Sequence, residues 1–229
     1  MKMKRSEKLG MFTGLVVGVL LLLISVFMIF QTTCKVWGAE KPANATQQGI
    51  DVSSHQGKID WEQVKNSALA DYAIIRCGYG VNQTDKDDKY WDYNSSECER
   101  LGIPYGTYLY SGADTTAKAK SEAEHVVRLL QGKNLTYPIY YDMEADMLNQ
   151  LSSTQIGNIA KTFLNTMESY GYKNVAVYSN KYLFETKLTA SVFSDYPKWI
   201  AQHSNKCTYQ GSYHMWQYST PVSYTHLRA

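Results

Sequence analysis

The chain has 229 residues and a formal net charge of +2, a length that allows one domain with a sizeable core and an additional segment. Residues 1–46 hold six Lys or Arg and two Glu, which leaves 17 basic and 19 acidic residues in the remainder. The weakly acidic remainder of the chain lacks the clustered basic face of nucleic-acid-binding proteins, so we expect no nucleic-acid partner.

The N-terminal part of the chain predicts a single-pass membrane anchor. Residues 11–30 read MFTGLVVGVLLLLISVFMIF and contain no charge, and a helix of this length reaches about 30 Å, enough to span a bilayer. The basic cluster within residues 1–10 predicts that this end stays cytoplasmic and that residues 31–229 lie outside. A cleaved signal peptide and a buried core helix are the alternatives. Signal peptides usually have a shorter apolar region, of about 7 to 15 residues, followed closely by a cleavage site.

The cysteines do not indicate a metal site. Cys34, Cys77, Cys98 and Cys207 form neither a CxxC motif nor a Cys/His pattern with metal-ligand spacing. Outside the membrane a disulfide is chemically permissible, and Cys77 and Cys98 are the pair closest in sequence. Small buried side chains are the alternative interpretation.

After a linker at 31–47, short β-branched and aromatic runs alternate with longer amphipathic stretches, which is typical of βα units. Strands are predicted at 49–53, 72–78, 105–111, 137–144, 174–179, 198–202 and 213–218. Helices are predicted at 60–69, 91–101, 115–130, 154–170 and 181–188.

This alternation favours an α/β fold in which parallel strands close into a (β/α) barrel, with the active site at the carboxyl ends of the strands. A doubly wound open sheet is the alternative. Such sheets usually carry a glycine-rich phosphate turn after the first strand, whereas this chain has SSHQG at 53–57.

The strongest chemical motif is YPIYYDMEAD at 137–146, which places Asp142 and Glu144 two residues apart at the end of a central predicted strand. Side chains at i and i+2 share one face of a strand. Two carboxylates in a partly dehydrated cleft suit glycoside hydrolysis, because different surroundings separate their pKa values. We expect Glu144 to donate the proton and Asp142 to support it. Solvated carboxylates are the alternative, as is a metal cluster that includes Asp146, although no His ligand is nearby.

Two further charges interrupt apolar strands. Asp51 lies in the first predicted strand, and a charge there needs a partner or a function unless it faces solvent. Arg76 interrupts the second strand and could bind an acidic substituent, neutralise a carboxylate, or form an internal salt bridge.

Aromatic residues are abundant, with 19 Tyr and five Trp. Aromatic rings stack on sugars as readily as they fill cores. Tyr108, Tyr178 and Trp199 fall within or at the end of predicted strands and are our candidates for sugar contacts. The five histidines form no metal spacing and no catalytic triad, so we interpret them as solvated or core residues.

Seven blocks together resemble the glycoside hydrolase family 25 lysozymes. They are GIDVSSHQG at 49–57, IIRCGY at 74–79, PYGTY at 104–108, IYYDME at 139–144, VYS at 177–179, KWIA at 198–201 and MWQY at 215–218. The resemblance covers residues 48 to about 219.

The resemblance implies an irregular TIM-like barrel of five βα units followed by three strands. It also implies cleavage between N-acetylmuramic acid and N-acetylglucosamine of peptidoglycan glycan strands, by a monomer that needs no cofactor or metal. It assigns Glu144 as the catalytic acid and Asp142 and Asp51 as its carboxylate partners. The sugar groove would then be lined by Arg76, Tyr108, Tyr178 and Trp199.

The chain departs from this family at its C-terminus. Members typically end with one more strand that carries an aspartate, whereas residues 220–229, TPVSYTHLRA, contain no acidic residue. We therefore expect a hydrolase domain at 48–219 without the last strand, followed by an atypical tail, and lower stability and activity than in a complete domain. The alternative functions are a catalytically impaired cell-wall glycan-binding module and, less favoured, a metal-dependent esterase or deacetylase that uses Asp142, Glu144 and Asp146.

Overall fold

A computed structural model describes residue 42, residues 44–68 and residues 70–219. The predicted anchor at 11–30 and the tail at 220–229 lie outside these described residues. Among the described residues, no helix is both long and apolar enough to cross a membrane.

Seven parallel strands form one curled sheet in the order β1 to β7, so that strands consecutive in sequence are neighbours in space. A doubly wound sheet reverses its strand order at a switch point, and this sheet does not, so that alternative is wrong. The α/β class predicted from the sequence is confirmed. The strands are β1 Gly49–Val52, β2 Tyr72–Tyr79, β3 Tyr105–Tyr110, β4 Ile139–Asp142, β5 Val175–Asn180, β6 Lys198–Ala201 and β7 Met215–Gln217.

The sheet curls far enough for side chains of its first and last strands to meet. Gln217 Nε2 donates to Asp51 Oδ2 at 3.1 Å, and Gln48 Nε2, just before β1, donates to the Tyr218 hydroxyl at 2.9 Å. In the described part of the chain, β1 and β7 are the edges of the sheet and are not neighbours in its ladder. Side-chain hydrogen bonds therefore join the two edges.

In the part of the chain that the structure describes, six α-helices connect the strands, and most begin at side-chain caps that the sequence supplies. Asp60, Thr115, Ser152 and Asn180 each accept a hydrogen bond from a backbone N–H of the first turn, as helix caps do. The predicted helix 154–170 ends before Gly171, whose φ is +93°. The helices are α1 Trp61–Ser67, α2 Trp91–Leu101, α3 Thr116–Leu129, α4 Ser153–Ser169, α5 Lys181–Thr186 and α6 Val192–Asp195; the short α6 was not predicted.

Strand alternation divides the buried side chains into two clusters. Odd-numbered positions of β4, such as Tyr141, pack against the helices, and even-numbered positions, such as Tyr140, face the concave side of the sheet. This follows from the two-residue period of a strand. The concave cluster consists of Tyr72, Ile74, Tyr140, Ala176, Tyr178, Trp199 and Ala201, with Tyr108, Tyr137 and Met215 packed against it.

The central strand β4 is shorter than the predicted strand 137–144. It begins after Pro138, which has no N–H to donate, and it ends at Asp142. One more main-chain bond, from Met143 N to Tyr178 O, follows at 2.9 Å. The Met143 carbonyl then accepts from the Ser179 hydroxyl at 2.5 Å, so a side chain takes the place of a ladder partner. Glu144 therefore lies in the loop and not in the strand.

We predict that Gly106→Ala destabilises the domain, because β3 and β4 approach closely at this residue. A Cβ there would lie 2.5 Å from Pro138 O and 2.8 Å from Tyr137 Cβ. Overpacking of this kind costs about 1–3 kcal/mol, measurable as a lower urea midpoint.

Gly112→Ala is the matched control, since the nearest atom to its added Cβ is Glu122 Oε1 at 3.9 Å. Equal urea midpoints for the two variants would show that the close approach between β3 and β4 does not constrain residue 106.

Candidate active site

Charged side chains collect at the carboxyl ends of the strands on the concave face. Asp51, Arg76 and Asp142 each lie between neighbours that belong to the helix-facing cluster, so all three point into the concave side. Glu144 follows in the loop after β4. The charges of Glu144 and Asp51 both act on the pKa of Asp142, which shows that the three predicted carboxylates are brought together.

Asp142 is the most strongly perturbed carboxylate of this group. It is 3% exposed, and its Oδ1 has no hydrogen-bond partner among the described residues. Burial raises its pKa well above the usual range, the charges of Glu144 and Asp51 raise it further, and Arg76 opposes them. Because burial disfavours the charged form, this carboxyl group tends to hold a proton. Solvated carboxylates are therefore the wrong interpretation for Asp142.

Glu144 is half-buried and makes no hydrogen bond with any of the described residues, so its carboxyl group is open to a ligand. Burial raises its pKa, and the charge of Asp51 raises it further, while His203 lowers it. A carboxyl group with a raised pKa and no internal partner can hold a proton and deliver it to a bound molecule.

Asp51 differs because it is hydrogen-bonded. Burial is the largest influence on its pKa and raises it, whereas the bond from Gln217 and the charge of His203 lower it. Gln217 Oε1 in turn accepts from the Tyr178 hydroxyl at 2.9 Å and faces His203 Nε2 at 3.0 Å. Asp51 is therefore the carboxylate whose ionised form the protein supports best.

Gln217 was not predicted as a site residue, and neither was the contact that the exposed His203 makes with it. Gln217 lies in the MWQY block, two residues from Met215 on the concave face of the predicted last strand, so strand alternation could have identified it. His203 lies in the exposed loop after β6, and nothing in its spacing shows its contact with Gln217. Tyr110 was also missed: it pairs in register with Asp142, and the charges of Asp142, Glu144 and Asp146 add to the burial that raises its pKa.

Arg76 forms the internal salt bridge that was one of its three interpretations. Its Nε donates to Asp88 Oδ2 at 2.8 Å, and its Nη2 donates to Ser54 Oγ at 2.8 Å. Asp88 is buried and also accepts from the backbone N–H groups of Ser54 and Tyr90. The guanidinium group thus fixes the turn after β1, and its positive charge acts to lower the pKa of Asp142.

The three candidate aromatic residues pack against one another. Trp199 is 3% exposed and makes edge contacts with Tyr178 and Tyr108, at centroid distances of 4.5 and 6.4 Å. Tyr108 is half-buried, and burial together with the charges of Asp51 and Asp142 raises its pKa well above the usual value. Core packing is therefore the main role of Trp199, and the three rings form an aromatic layer on the concave face.

Metal ligation and a disulfide find no support in the described ranges. No three His, Cys, Asp or Glu side chains of residues 44–68 and 70–219 are grouped as metal ligands, and the exposed Asp146 begins a 3-10 turn. Cys77 and Cys98 are buried free thiols. Burial raises the pKa of Cys77 to about 12, as expected for the alternative interpretation of small buried side chains.

A curled parallel sheet that gathers carboxylates at the strand ends of its concave side is an arrangement that glycoside hydrolases use. The chain matches the family described as Glycosyl hydrolases family 25 over residues 50–226. It belongs to that family.

Characterised relatives and solved structures agree with this assignment. The chain is 29% identical over 173 residues to an autolytic lysozyme of Clostridium acetobutylicum, covering 75% of this chain and 50% of that protein. The modular autolysin LytC of Streptococcus pneumoniae is similar in structure, with a TM-score of 0.70, 32% identity and coverage of 80% of this chain and 44% of that one. A family 25 glycosyl hydrolase of Bacillus anthracis shares the fold, with a TM-score of 0.69, 20% identity and coverage of 80% and 83%. The chain thus spans about half the length of the first two.

We predict that Asp142→Asn is more stable than the parent at neutral pH. Because the folded-state pKa of Asp142 is raised, protonation favours the folded state, and the parent loses stability as pH rises through that pKa. The amide does not ionise, so the gain should appear as a melting temperature a few degrees higher. About 1 kcal/mol corresponds to about 2–4 °C at this size.

The measurement is the melting temperature of both proteins from pH 4 to pH 8, with Asp146→Asn as the exposed control. The gap between Asp142→Asn and the parent should widen towards pH 8 and close towards pH 4. A gap that is independent of pH would contradict the assignment of a raised pKa to Asp142.

Proposed function

We propose that this chain is a lysozyme that hydrolyses the glycosidic bond between N-acetylmuramic acid and N-acetylglucosamine in peptidoglycan, with Glu144 as the general acid. The observation that carries the proposal is the state of Glu144, whose half-buried carboxyl group has a raised pKa and no internal hydrogen-bond partner among the described residues. Membership of family 25 and the similarity to an autolytic lysozyme support the substrate class.

In this proposal, the three carboxylates have different roles. Glu144 gives its proton to the oxygen of the leaving sugar as the bond breaks, and a water molecule then adds to the cationic carbon and returns a proton to Glu144. Asp51, whose raised pKa is opposed by the hydrogen bond from Gln217 and the charge of His203, in its ionised form stabilises the positive charge that develops on the other sugar. Asp142 supplies a buried carboxyl group beside Glu144.

We also propose that the curled sheet is the irregular barrel of this family and that its concave aromatic layer is the floor of the sugar groove. Tyr108 and Tyr178 lie beside the carboxylates, and Tyr110 is half-buried at the edge of the same group. Aromatic rings provide the apolar faces on which sugar rings stack.

The test of catalysis is Glu144→Gln, which keeps the shape of the side chain but cannot donate a proton. We expect turnover of purified peptidoglycan, measured as turbidity loss and as new reducing ends, to fall about 100-fold or more. Glycan binding in a pull-down should persist.

Glu185→Gln, on the surface of α5, is the matched control. A Glu144→Gln protein that retains at least a third of the parental rate would contradict the assignment of Glu144 as the general acid. A parent that binds peptidoglycan without cleaving it would favour the impaired binding module.

We propose in addition that residues 11–30 anchor the chain and that residues 31–229 lie outside the membrane, where peptidoglycan is found. The uncharged run of twenty residues and the basic cluster before it support this topology. Protease added to intact spheroplasts should remove the domain. Complete protection would contradict the topology, and release of a soluble mature form would favour a cleaved signal peptide.

A further inference from the structure

The side-chain amide of Gln217 is held at three points by three different parts of the fold. Its Nε2 donates to Asp51 Oδ2 on β1 at 3.1 Å. Its Oε1 accepts from the Tyr178 hydroxyl on β5 at 2.9 Å and faces Nε2 of His203, in the loop after β6, at 3.0 Å. A side-chain amide has two donor hydrogens and one acceptor oxygen, and here both ends are engaged.

Only one orientation of this amide satisfies all three partners. If it were rotated by 180°, the oxygen would oppose the Asp51 carboxylate, and the NH₂ group would lie against the Tyr178 hydroxyl and His203. Amide orientations are assigned from the hydrogen-bond network, and the ionised form of Asp51, which can only accept, requires this one. Because Oε1 also only accepts, His203 carries a proton on Nε2 and Tyr178 donates its hydroxyl proton.

The network directs donor groups towards Asp51. His203 and Tyr178 polarise the amide from its oxygen end, which strengthens the N–H that Asp51 accepts. When the imidazole of His203 is protonated on both nitrogens, its positive charge favours the ionised forms of Asp51 and Glu144. Asp51 is thereby distinguished from Asp142, one of whose oxygens has no partner.

The hydrogen bond from Gln217 to Asp51 is important because Gln217 lies at the edge of the sheet. Asp51 is on β1 and Gln217 is on β7, and these edge strands are not neighbours in the ladder of the described sheet. Their relative position near the carboxylates therefore depends on side-chain bonds such as this one.

We propose that Gln217 is a positioning residue of the reaction, which donates to Asp51 and holds it in place, and that His203 and Tyr178 fix the amide through which it acts. The inference rests on the proposed function for its effect on turnover. The titratable and charged groups that face Asp51 or its neighbours from the surrounding elements are Tyr72 and Arg76 on β2, Tyr108 on β3, Asp142 and Glu144 after β4, Tyr178 on β5 and His203.

Gln217→Glu tests the proposal, because it replaces the donor with a second carboxylate of the same shape. In the full-length chain in mild detergent, we expect the acid limb of the pH–rate profile on purified peptidoglycan to move up by about one pH unit or more, the direction in which a like charge shifts a carboxylate. We expect kcat to fall about tenfold and KM to change little, since the variant affects a carboxylate that acts in the transition state. Gln217→Met, which removes the donor without adding charge, should give a smaller shift.

One control variant and one second test variant accompany Gln217→Glu. Gln210→Glu adds the same charge to an exposed glutamine of the β6–β7 loop, whose amide donates to the Thr208 carbonyl, and it should leave the profile unchanged. His203→Ala removes an exposed side chain and should move the acid limb up by less than Gln217→Glu. It keeps the test valid if Gln217→Glu does not fold.

A carbon-13 NMR titration of the Asp51 carboxyl group separates this inference from the proposed function. An upward shift of its midpoint in Gln217→Glu and in His203→Ala would support the positioning role even if the parent shows no turnover, in which case only the proposed function fails. An Asp51 midpoint and an acid limb that match the parent in folded Gln217→Glu, or in His203→Ala if the first variant does not fold, would overturn the inference.

Discussion

The whole arrangement depends on parallel strands being buried on both faces. Helices cover one face, so alternate residues of each strand must be apolar there, as Ile75 and Tyr141 are. The other alternate residues fill the concave side, where rings such as Tyr140 and Trp199 pack edge to face at 5.0 Å. A charged side chain that faces the concave side is therefore enclosed together with the other charged side chains at the ends of the strands.

Confinement gives these carboxylates their chemical differences. Asp142 is buried with one oxygen that has no hydrogen-bond partner among the described residues. Glu144 is half-buried and has no hydrogen-bond partner in the same part of the chain, whereas the half-buried Asp51 accepts a hydrogen bond from Gln217. Burial raises all three pKa values, and the hydrogen bond and the nearby His203 lower that of Asp51. A buried acid that opposes folding is retained where a reaction needs it, which is the usual conflict between stability and activity.

Other buried charges of the domain are structural and show the contrast. Glu122, on α3, accepts from Ser111, Tyr141 and the Gly112 N–H at 2.6–2.9 Å, so both of its carboxylate oxygens have hydrogen-bond partners. Asp88 is likewise satisfied by Arg76 and two backbone N–H groups. A carboxylate whose oxygens all have internal hydrogen-bond partners holds a loop in place. The carboxylates of the concave face that lack such partners are the ones available for chemistry.

Local patterns in the sequence determined the order of strands and helices, because hydrophobic period and capping residues act over a few neighbours. They also determined that Asp51 and Asp142 point to the concave side, since a strand alternates every two residues. The tertiary structure alone decided where β4 ends, because the Ser179 hydroxyl replaces a ladder partner. It also decided that Gln217 serves Asp51 across 166 residues of sequence, since contacts between distant segments depend on how the sheet curls and not on spacing along the chain.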